Sequence, residues 1–401
     1  MLPRVELLKL MGGGAELDKL SHELEEYAAE DEAHGAPPGP DEPLDTSARP
    51  VNEASRPSTI RDVASLAGVS TATVSRAMRG GPGVDPATRR RVEDAARALR
   101  YRPSGVARSL KLRATQTIGL IVTDIENPYF PLIVRAVEDA ARERDYSVIL
   151  ADGRRDLVRE VQSLELLAGR EVDGLLIASA ALTEHHRSWI DDRPCPMVII
   201  NGNSTSVDVP AVLSDNVTGG QLVAEHLLAL GHRRLGYIGD TTTGNIAVEE
   251  RLAGIRDAIE GSGAEVRVVE GDGRVEGAER AARDALERWP ETTALACYND
   301  LSAVGALRGL RSGGLSVPGD VSVVGFDDIE LAPYVDPALT TVRQSTEEIG
   351  RWAVDTLVAA IAAWNGPSAR VPGTATVSAE PTRMPVELVV RDSTGAVGEA
   401  R

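Results

Sequence analysis

The residues of this sequence best equipped for chemistry are cations, and they are bunched. Residues 58–113 hold twelve Lys/Arg against four Asp/Glu, a net charge of +8. Residues 1–57 hold five against thirteen, a net of −8, and residues 114–401 carry −18. The chain total of −18 argues against a nucleic-acid partner, but the distribution of charge points the other way. One basic block between acidic ones is the electrostatic footprint of a segment that neutralises phosphates.

Other constellations fall short. No G-x-S-x-G elbow, Walker A loop or H-E-x-x-H helix is present, so no nucleophile–base pair or metal-hydrolase site is read. His22-Glu23 lacks a second histidine. Gly271-Asp272-Gly273 meets its next glycine at 277, the wrong spacing for a dinucleotide turn. His185-His186 reads as a solvated helix edge, because no thiol or carboxylate stands beside it at ligand spacing. Trp189, Trp289, Trp352 and Trp364 read as packing residues. Cys195 and Cys297 lie far apart in apolar stretches and read as free buried thiols of a reducing compartment. No cofactor is implied. No apolar run approaches a membrane span, and the acidic N-terminus lacks a signal peptide's apolar segment, so the expected location is the cytoplasm.

The elements that must position the cations follow from local signals. Residues 1–57 read as an acidic, disordered extension, rich in Pro, Gly, Asp and Ser over 35–57. Thr59-Ile60-Arg61-Asp62 is a capping box, and Val63, Ala64, Leu66 and Ala67 give the helix it opens an apolar face. Gly68 ends that helix, Val69 plugs the core and Ser70 caps a second helix over 71–78. Asp85 and Pro86 start a third, with Val92, Ala95, Ala96 and Leu99 inward. Helix, tight glycine turn, helix is an arrangement that projects the second helix into the major groove of DNA. Residues 104–113 are too few, and with Gly105 too weak, to hold a helix unaided. They predict a hinge that orders only when something orders it.

From residue 117 onward apolar runs alternate with amphipathic helices. One set of strands is expected at 117–123, 147–151, 174–178, 197–200 and 211–213, a second at 235–239, 265–269, 294–298 and 321–326. A last strand is expected at 386–391, after a helix over 346–363. The pattern means parallel sheets covered by helices, in two lobes.

TIRDVASLAGVSTATVSRAM (59–78) and YRPSGVARSLK (101–111) closely resemble the lactose-repressor/galactose-repressor (LacI/GalR) family. IGLIVTDIENPYF (118–130), DNVTGG (215–220), LGHRRLGYIGD (230–240), RLAGIRDAI (251–259), YND (298–300), VSVVGFDD (321–328), LTTVRQ (339–344) and LVVRDST (388–394) continue it in order. The resemblance implies a multidomain chain: an all-α helix-turn-helix headpiece over 58–103, a hinge helix over 104–113, and an α/β two-lobed, periplasmic-binding-protein-like core with parallel sheets over 114–394. Residues 395–401 are then a tail, and nothing in the family accounts for residues 1–57.

What the resemblance implies about sites is specific. Thr71, Ala72 and Arg76 fall where the family reads bases, and Arg76 can bond a guanine edge bidentately. Thr59, Ser70, Thr73 and Ser75 fall near phosphates, although capping alone also accounts for Ser70 and a plain helix surface for Ser75. Leu110 matches a minor-groove wedge, flanked by Ala107 and Lys111. Two hinges must pack together for this, so a homodimer on a near-palindromic, double-stranded operator follows. Asp124, Asn127, Phe130, Arg251, Asn299, Asp327 and Gln344 are implied to bind a small-molecule effector between the lobes, and their amides, charges and aromatic ring suit a sugar. Gly273 stands where the family often carries a second aromatic. The implied activity is a repressor whose DNA affinity the effector controls, not an enzyme. The competing reading, a solute-binding protein of the periplasmic type, accounts for the lobes and leaves the headpiece unused.

Overall fold

In the computed structural model of the chain, the described residues are 58–78, 80–101, 114–179, 182, 184–202, 209–241, 245–364 and 380–397. Contacts divide them into two units at Arg102/Pro103. The expected extension over 1–57 and hinge over 104–113, with Ala107, Leu110 and Lys111, lie outside the described residues.

Among the described residues the first unit holds three helices: α1 (Ile60–Ala67), α2 (Thr71–Met78) and α3 (Pro86–Ala98). The capping box forms as its residues dictate. The Asp62 carboxylate accepts the Thr59 N–H at 2.8 Å, and Thr59 Oγ1 accepts the Asp62 N–H at 3.4 Å. Gly68 takes φ +65°, which a side chain would strain, and its N–H closes the helix on Ala64 and Ser65. Val63, Val74 and Val92 are fully buried, packed with Ala64, Ala67, Ala77, Ala95 and Ala96. Leu66, expected inward, is 58% exposed. α1 buries only its Val63–Ala64–Ala67 stripe, and Leu66 falls outside it.

The second unit holds two six-stranded sheets. Its elements run β1 (Thr117–Val122), α4 (Tyr129–Arg142), β2 (Ser147–Asp152), α5 (Leu157–Gly169), β3 (Gly174–Ala178), α6 (Glu184–Asp191), β4 (Met197–Ile200) and β5 (Ala211–Ser214). They continue with α7 (Asn216–Ala229), β6 (Arg234–Ile238), α8 (Ile246–Ile259), β7 (Glu265–Val269), α9 (Val275–Arg288), β8 (Ala294–Cys297), α10 (Asp300–Ser312) and β9 (Ser322–Asp327). Last come β10 (Thr340–Gln344), α11 (Thr346–Ala363), β11 (Thr382–Met384) and β12 (Val386–Val389).

The N-terminal lobe's sheet has the order β11-β5-β4-β3-β1-β2, all parallel. The C-terminal lobe's has the order β12-β10-β9-β8-β6-β7, parallel except where β12 meets β10. Four apolar clusters fill the faces, two per lobe. β3 and β4 are buried along their whole length, which is why they read as unbroken apolar runs. β10 and β11 were not among the expected strands. β10 opens with Thr340-Thr341, whose hydroxyls bond inward to Thr394 and Asp300. β11 is a three-residue edge strand with little apolar signal.

The chain crosses between lobes three times, after β5, after β10 and between β11 and β12. The crossings are bonded to one another: the Asp215 N–H donates to the Met384 carbonyl at 2.8 Å, and Ser345 Oγ to the Pro385 carbonyl at 2.8 Å. Part of the expected tail is tied down: the Gly395 N–H donates to Ser322 Oγ and the Val397 N–H to the Leu230 carbonyl. Buried His232 links this segment to the lobe through Thr293, Ser322 and the Gly395 carbonyl. His186, expected in solvent, is fully buried, with Nε2 3.2 Å from the buried Glu160 carboxylate, which also accepts from Ser179. Spacing along the chain hid that pairing, because the partners lie on different elements. No helix among the described residues is long and apolar enough to cross a membrane.

Candidate effector cleft and DNA-reading helix

The carboxyl ends of both sheets face one cavity, where open α/β sheets place their ligands. It is lined by Asn127, Tyr129, Phe130, Asn201, Asn216 and Asn245, and by Ala247, Arg251, Tyr298, Asn299, Asp327 and Gln344. Six of the seven residues the resemblance implied therefore come together. Asp124 does not line the cavity: it accepts a bond from Arg274, across the lobes, at 3.1 Å. Tyr129 and Tyr298 stand in the quoted motifs beside the chosen Phe130 and Asn299, and Asn216 stands in DNVTGG, from which no residue was chosen. Asn201 follows the carboxyl end of β4, so strand position alone could have marked it. Asn245, the cap of α8, lies in a stretch without pattern.

Arg251 anchors the site. It is buried, its guanidinium lies 3.5 Å from the Phe326 ring centroid, Nε donates to Asn216 Oδ1 at 2.9 Å, and Nη1 donates to the Tyr298 carbonyl. Two glycines make that placement possible. A Cβ at Gly220 would stand 2.1 Å from the Arg251 carbonyl oxygen, and one at Gly254 would stand 2.0 Å from the Val217 carbonyl oxygen. Only bare backbone lets α7 and α8 approach so closely.

Asp327 has φ +128° and Asp328 φ +53°, strained for non-glycine residues and characteristic of functional turns. Buried Asp300 holds this turn, accepting from the Ile329 N–H at 2.9 Å and from the Thr341 hydroxyl. Burial lifts the Asp300 carboxyl to about 6 against those two bonds. Burial also pushes Asp327 well above the ordinary carboxylate range, with Arg251 opposing. Gln344 Nε2 donates to Asp327 Oδ1 at 2.6 Å, and Ser214 Oγ donates to Gln344 Oε1, joining two of the crossings. Burial raises the Tyr129 and Tyr298 phenols, whose hydroxyls accept from Asn201 and Asn245. The arrangement can hold a polyhydroxylated ring: amides and phenols for hydroxyls, Phe130 and Tyr129 for an apolar face. The cavity holds about 40 Å³, room for a few waters. A larger hollow of about 560 Å³ lies between α4 and α11, but Arg142 and Arg351 there already pair with Asp139 and Glu143.

On the three-helix unit, Thr71, Ala72 and Arg76 are exposed on α2. Arg76 Nε reaches only the Ala72 carbonyl, at 3.5 Å. Ser70 is exposed too, but its hydroxyl caps the helix, accepting the Thr73 N–H at 3.1 Å and meeting Thr73 Oγ1 at 2.9 Å. Thr59 is half-buried and its hydroxyl donates to Asp62. Thr73 and Ser75 are half-buried. The outward surface of α2 is thus one guanidinium among small side chains.

Residues 59–104 match the family described as bacterial regulatory proteins, lacI family, and residues 224–394 a periplasmic binding protein-like domain. The HTH-type transcriptional repressor PurR of Aliivibrio salmonicida is 34% identical over 307 residues, 75% of this chain and 91% of that protein. This chain belongs to the lacI family. Solved structures agree on fold. A complex of the transcriptional regulator CelR with cellobiose aligns at 34% identity and TM-score 0.61, covering 84% of this chain and 99% of CelR. The lac repressor dimer bound to operator and the anti-inducer ONPF aligns at 27% identity and TM-score 0.73, covering 85% of this chain and 100% of that one. As a lacI-family member the chain is a DNA-binding regulator that joins a helix-turn-helix unit to a two-lobed sensor.

Proposed function

We propose that this protein is a cytoplasmic repressor, without enzymatic activity, that grips a pseudo-palindromic operator as a homodimer and is controlled by a neutral sugar in the interlobe cavity. The observation that carries the reading is a pairing within one chain. An exposed arginine on a capped recognition helix is joined to a cleft lined by six side-chain amides. Thr71, Ala72 and Arg76 face base edges, Arg76 pairing with a guanine; Thr59, Ser70, Thr73 and Ser75 lie along the phosphates. Leu110, with Ala107 and Lys111, enters the minor groove.

The cavity chemistry supports a neutral ligand. Its one guanidinium among the described lining residues, Arg251, is already committed to Asn216 and the Tyr298 carbonyl and faces Asp327. A phosphorylated sugar would find no uncommitted cation there. The effector acts by binding one lobe arrangement better than the other, which shifts the population that can grip DNA.

The test is fluorescence anisotropy with duplex from upstream of the chain's own gene, against scrambled duplex. Arg76→Ala is expected to weaken specific binding by roughly 5- to 150-fold, the loss of one bidentate base contact. Log K should fall steeply with log salt as counterions are released. Equal affinity for both duplexes, unchanged by Arg76→Ala, would overturn the reading.

A further inference from the structure

The recognition helix ends close to its working residue. α2 is eight residues long, too short to hold its shape unaided, and Arg76 stands in its last turn. An α-helix leaves its final carbonyls without partners of its own, so other groups must take them. The chain that follows α2 supplies two. The Gly81 N–H donates to the Arg76 carbonyl at 3.0 Å, and the Gly80 N–H to the Ala77 carbonyl at 3.2 Å. Gly80 holds φ +69° and Gly83 φ +84°, a fold-back that side chains would strain.

A second arginine fastens that turn. Arg89, half-buried on α3, donates through Nη1 to the Ala77 carbonyl and through Nη2 to the Gly81 carbonyl, each at 3.0 Å. One guanidinium fork thus spans the end of α2 and the turn that leaves it, and it sets a positive charge at the negative end of the helix dipole. Arg90 and Arg91, its neighbours on α3, are exposed. The clamped turn lies against Arg76 at two points. A Cβ at Gly81 would stand 3.5 Å from the Arg76 carbonyl oxygen, and one at Gly83 would stand 3.9 Å from Arg76 Nη1. The bare backbone of Gly83 is therefore a surface beside which the Arg76 guanidinium lies. Nε of the same side chain reaches the Ala72 carbonyl at 3.5 Å, at the limit of a hydrogen bond.

We propose that Arg89 is a positioning residue for base reading: by clamping the 80–83 turn to the end of α2 it holds Arg76 in the posture that meets a guanine edge. This rests on the reading of Arg76 as the residue that contacts guanine. Both Arg89 bonds go to main-chain carbonyls, so its guanidinium is committed inside the headpiece. A bidentate contact needs two Arg76 nitrogens aligned with O6 and N7 of the base, and a side chain already confined loses less freedom on binding. A residue that only stabilised the fold would change the fraction of folded headpiece and weaken every duplex by one factor. A positioning residue changes the ratio between duplexes that differ at the guanine, and does so only while Arg76 is present.

The test is fluorescence anisotropy on the full chain. The probes are the duplex that the wild type selects from a randomised pool, and a set in which each G·C pair of its half-sites is replaced in turn by A·T. The guanine that Arg76 reads is the one whose replacement weakens the wild type by roughly 5- to 150-fold and leaves Arg76→Ala unmoved. At that position Arg89→Met, which keeps the stem and removes the fork, is expected to narrow the wild-type ratio by about 3-fold or more. Arg89→Lys, which keeps the charge and one donor group, should narrow it less, and carries the comparison if Arg89→Met does not fold. Arg89→Met combined with Arg76→Ala should give the same profile across the set as Arg76→Ala alone. An Arg89 profile that matches the wild type, or one weakened by a single factor at every duplex, overturns the positioning role and leaves Arg76 as the base reader. A double variant whose profile departs from that of Arg76→Ala does the same. A pool that yields no preferred duplex, or no guanine that separates the wild type from Arg76→Ala, overturns the base reading beneath it, and the positioning role falls with it.

Discussion

The three-helix headpiece and the two-lobed body solve the problem of presenting polar groups in opposite ways. The headpiece keeps its working side chains in water on a small framework, with five of its eight buried apolar residues alanine. Such a core contributes little per residue, so caps and turns carry much of the burden. The body buries the polar groups that line its cavity: Arg251, Asn299, Asp327 and Gln344 are each under a tenth exposed. It can do so because two apolar clusters in each lobe offset the desolvation. Reading DNA needs accessible side chains whose phosphate and base partners arrive with the ligand. Enclosing a small polar molecule needs dry walls in which every hydrogen bond counts.

Perturbations chosen for one region should spare the other. Gly254→Ala has the largest expected effect, because its Cβ would meet the Val217 carbonyl oxygen at 2.0 Å. Parting α7 from α8 should cost the body about 3 kcal/mol or more and displace Arg251. Calorimetry would show the body transition falling while the headpiece transition stays. Both moving together would break the comparison.

Val74→Ala is the reciprocal change. Two methyl groups lost from a fully buried site, plus the cavity, should cost the headpiece about 2 kcal/mol. Operator binding should weaken in anisotropy while sugar binding by calorimetry is unchanged. Thr59→Ala removes only the cap and should cost about 1 kcal/mol, readable as a smaller shift of the same headpiece transition.

The smallest effect is one of pH. Burial holds His226 and His232 below the usual histidine range. Their folded forms are thus the worse proton acceptors, and body stability should fall as pH drops from about 6.5 toward those lowered values. Asp300, raised to about 6, and Asp327, also raised by burial, work the other way, since their protonated forms are favoured in the folded state. The loss should therefore be clearest just below 6.5 and flatten further down. The headpiece has no histidine over 58–101 and should show no such slope. Its acid response belongs to Asp85, whose bonds to Thr88 hold its carboxyl below the usual range, so that cap is lost only in the carboxylate range. A headpiece transition that moves between pH 6.5 and 6 would contradict the contrast.

Legibility followed the same divide. The helix starts of the headpiece and its first turn were readable, because Thr59, Gly68, Ser70, Asp85 and Pro86 act on neighbours within four residues; the cap at Leu99 was not, since that residue reads only as apolar. Leu66 was misplaced because the sequence shows that it is apolar, not which stripe its neighbours leave open. In the body, buried strands announced themselves as apolar runs, while β10 and β11 were hidden by threonines and by brevity. Of the cavity, family motifs marked six residues; Tyr129, Asn201, Asn216, Asn245 and Tyr298 emerged only when the strand ends converged. Asp124 and His186 show the limit from the other side. Each found its partner, Arg274 and Glu160, on a segment that no spacing rule connects to it.

The sequence by itself determined the basic headpiece, its capped helices, the alternation that makes two parallel-sheet lobes, and the family to which those motifs belong. These rest on interactions within a few residues or on periodic burial, both written along the chain. Tertiary structure alone decided which side chains share the cavity, that Arg155 fills the space beside Gly273, and that Asp124 braces rather than lines. Those outcomes depend on three lobe crossings and on the close approach of α7 to α8. There a Cβ added at Gly220 or Gly254 would stand about 2 Å from a carbonyl of the other helix, and the Arg155 guanidinium meets the Asp272 carbonyl at 2.7 Å, placements that no local spacing in the chain encodes.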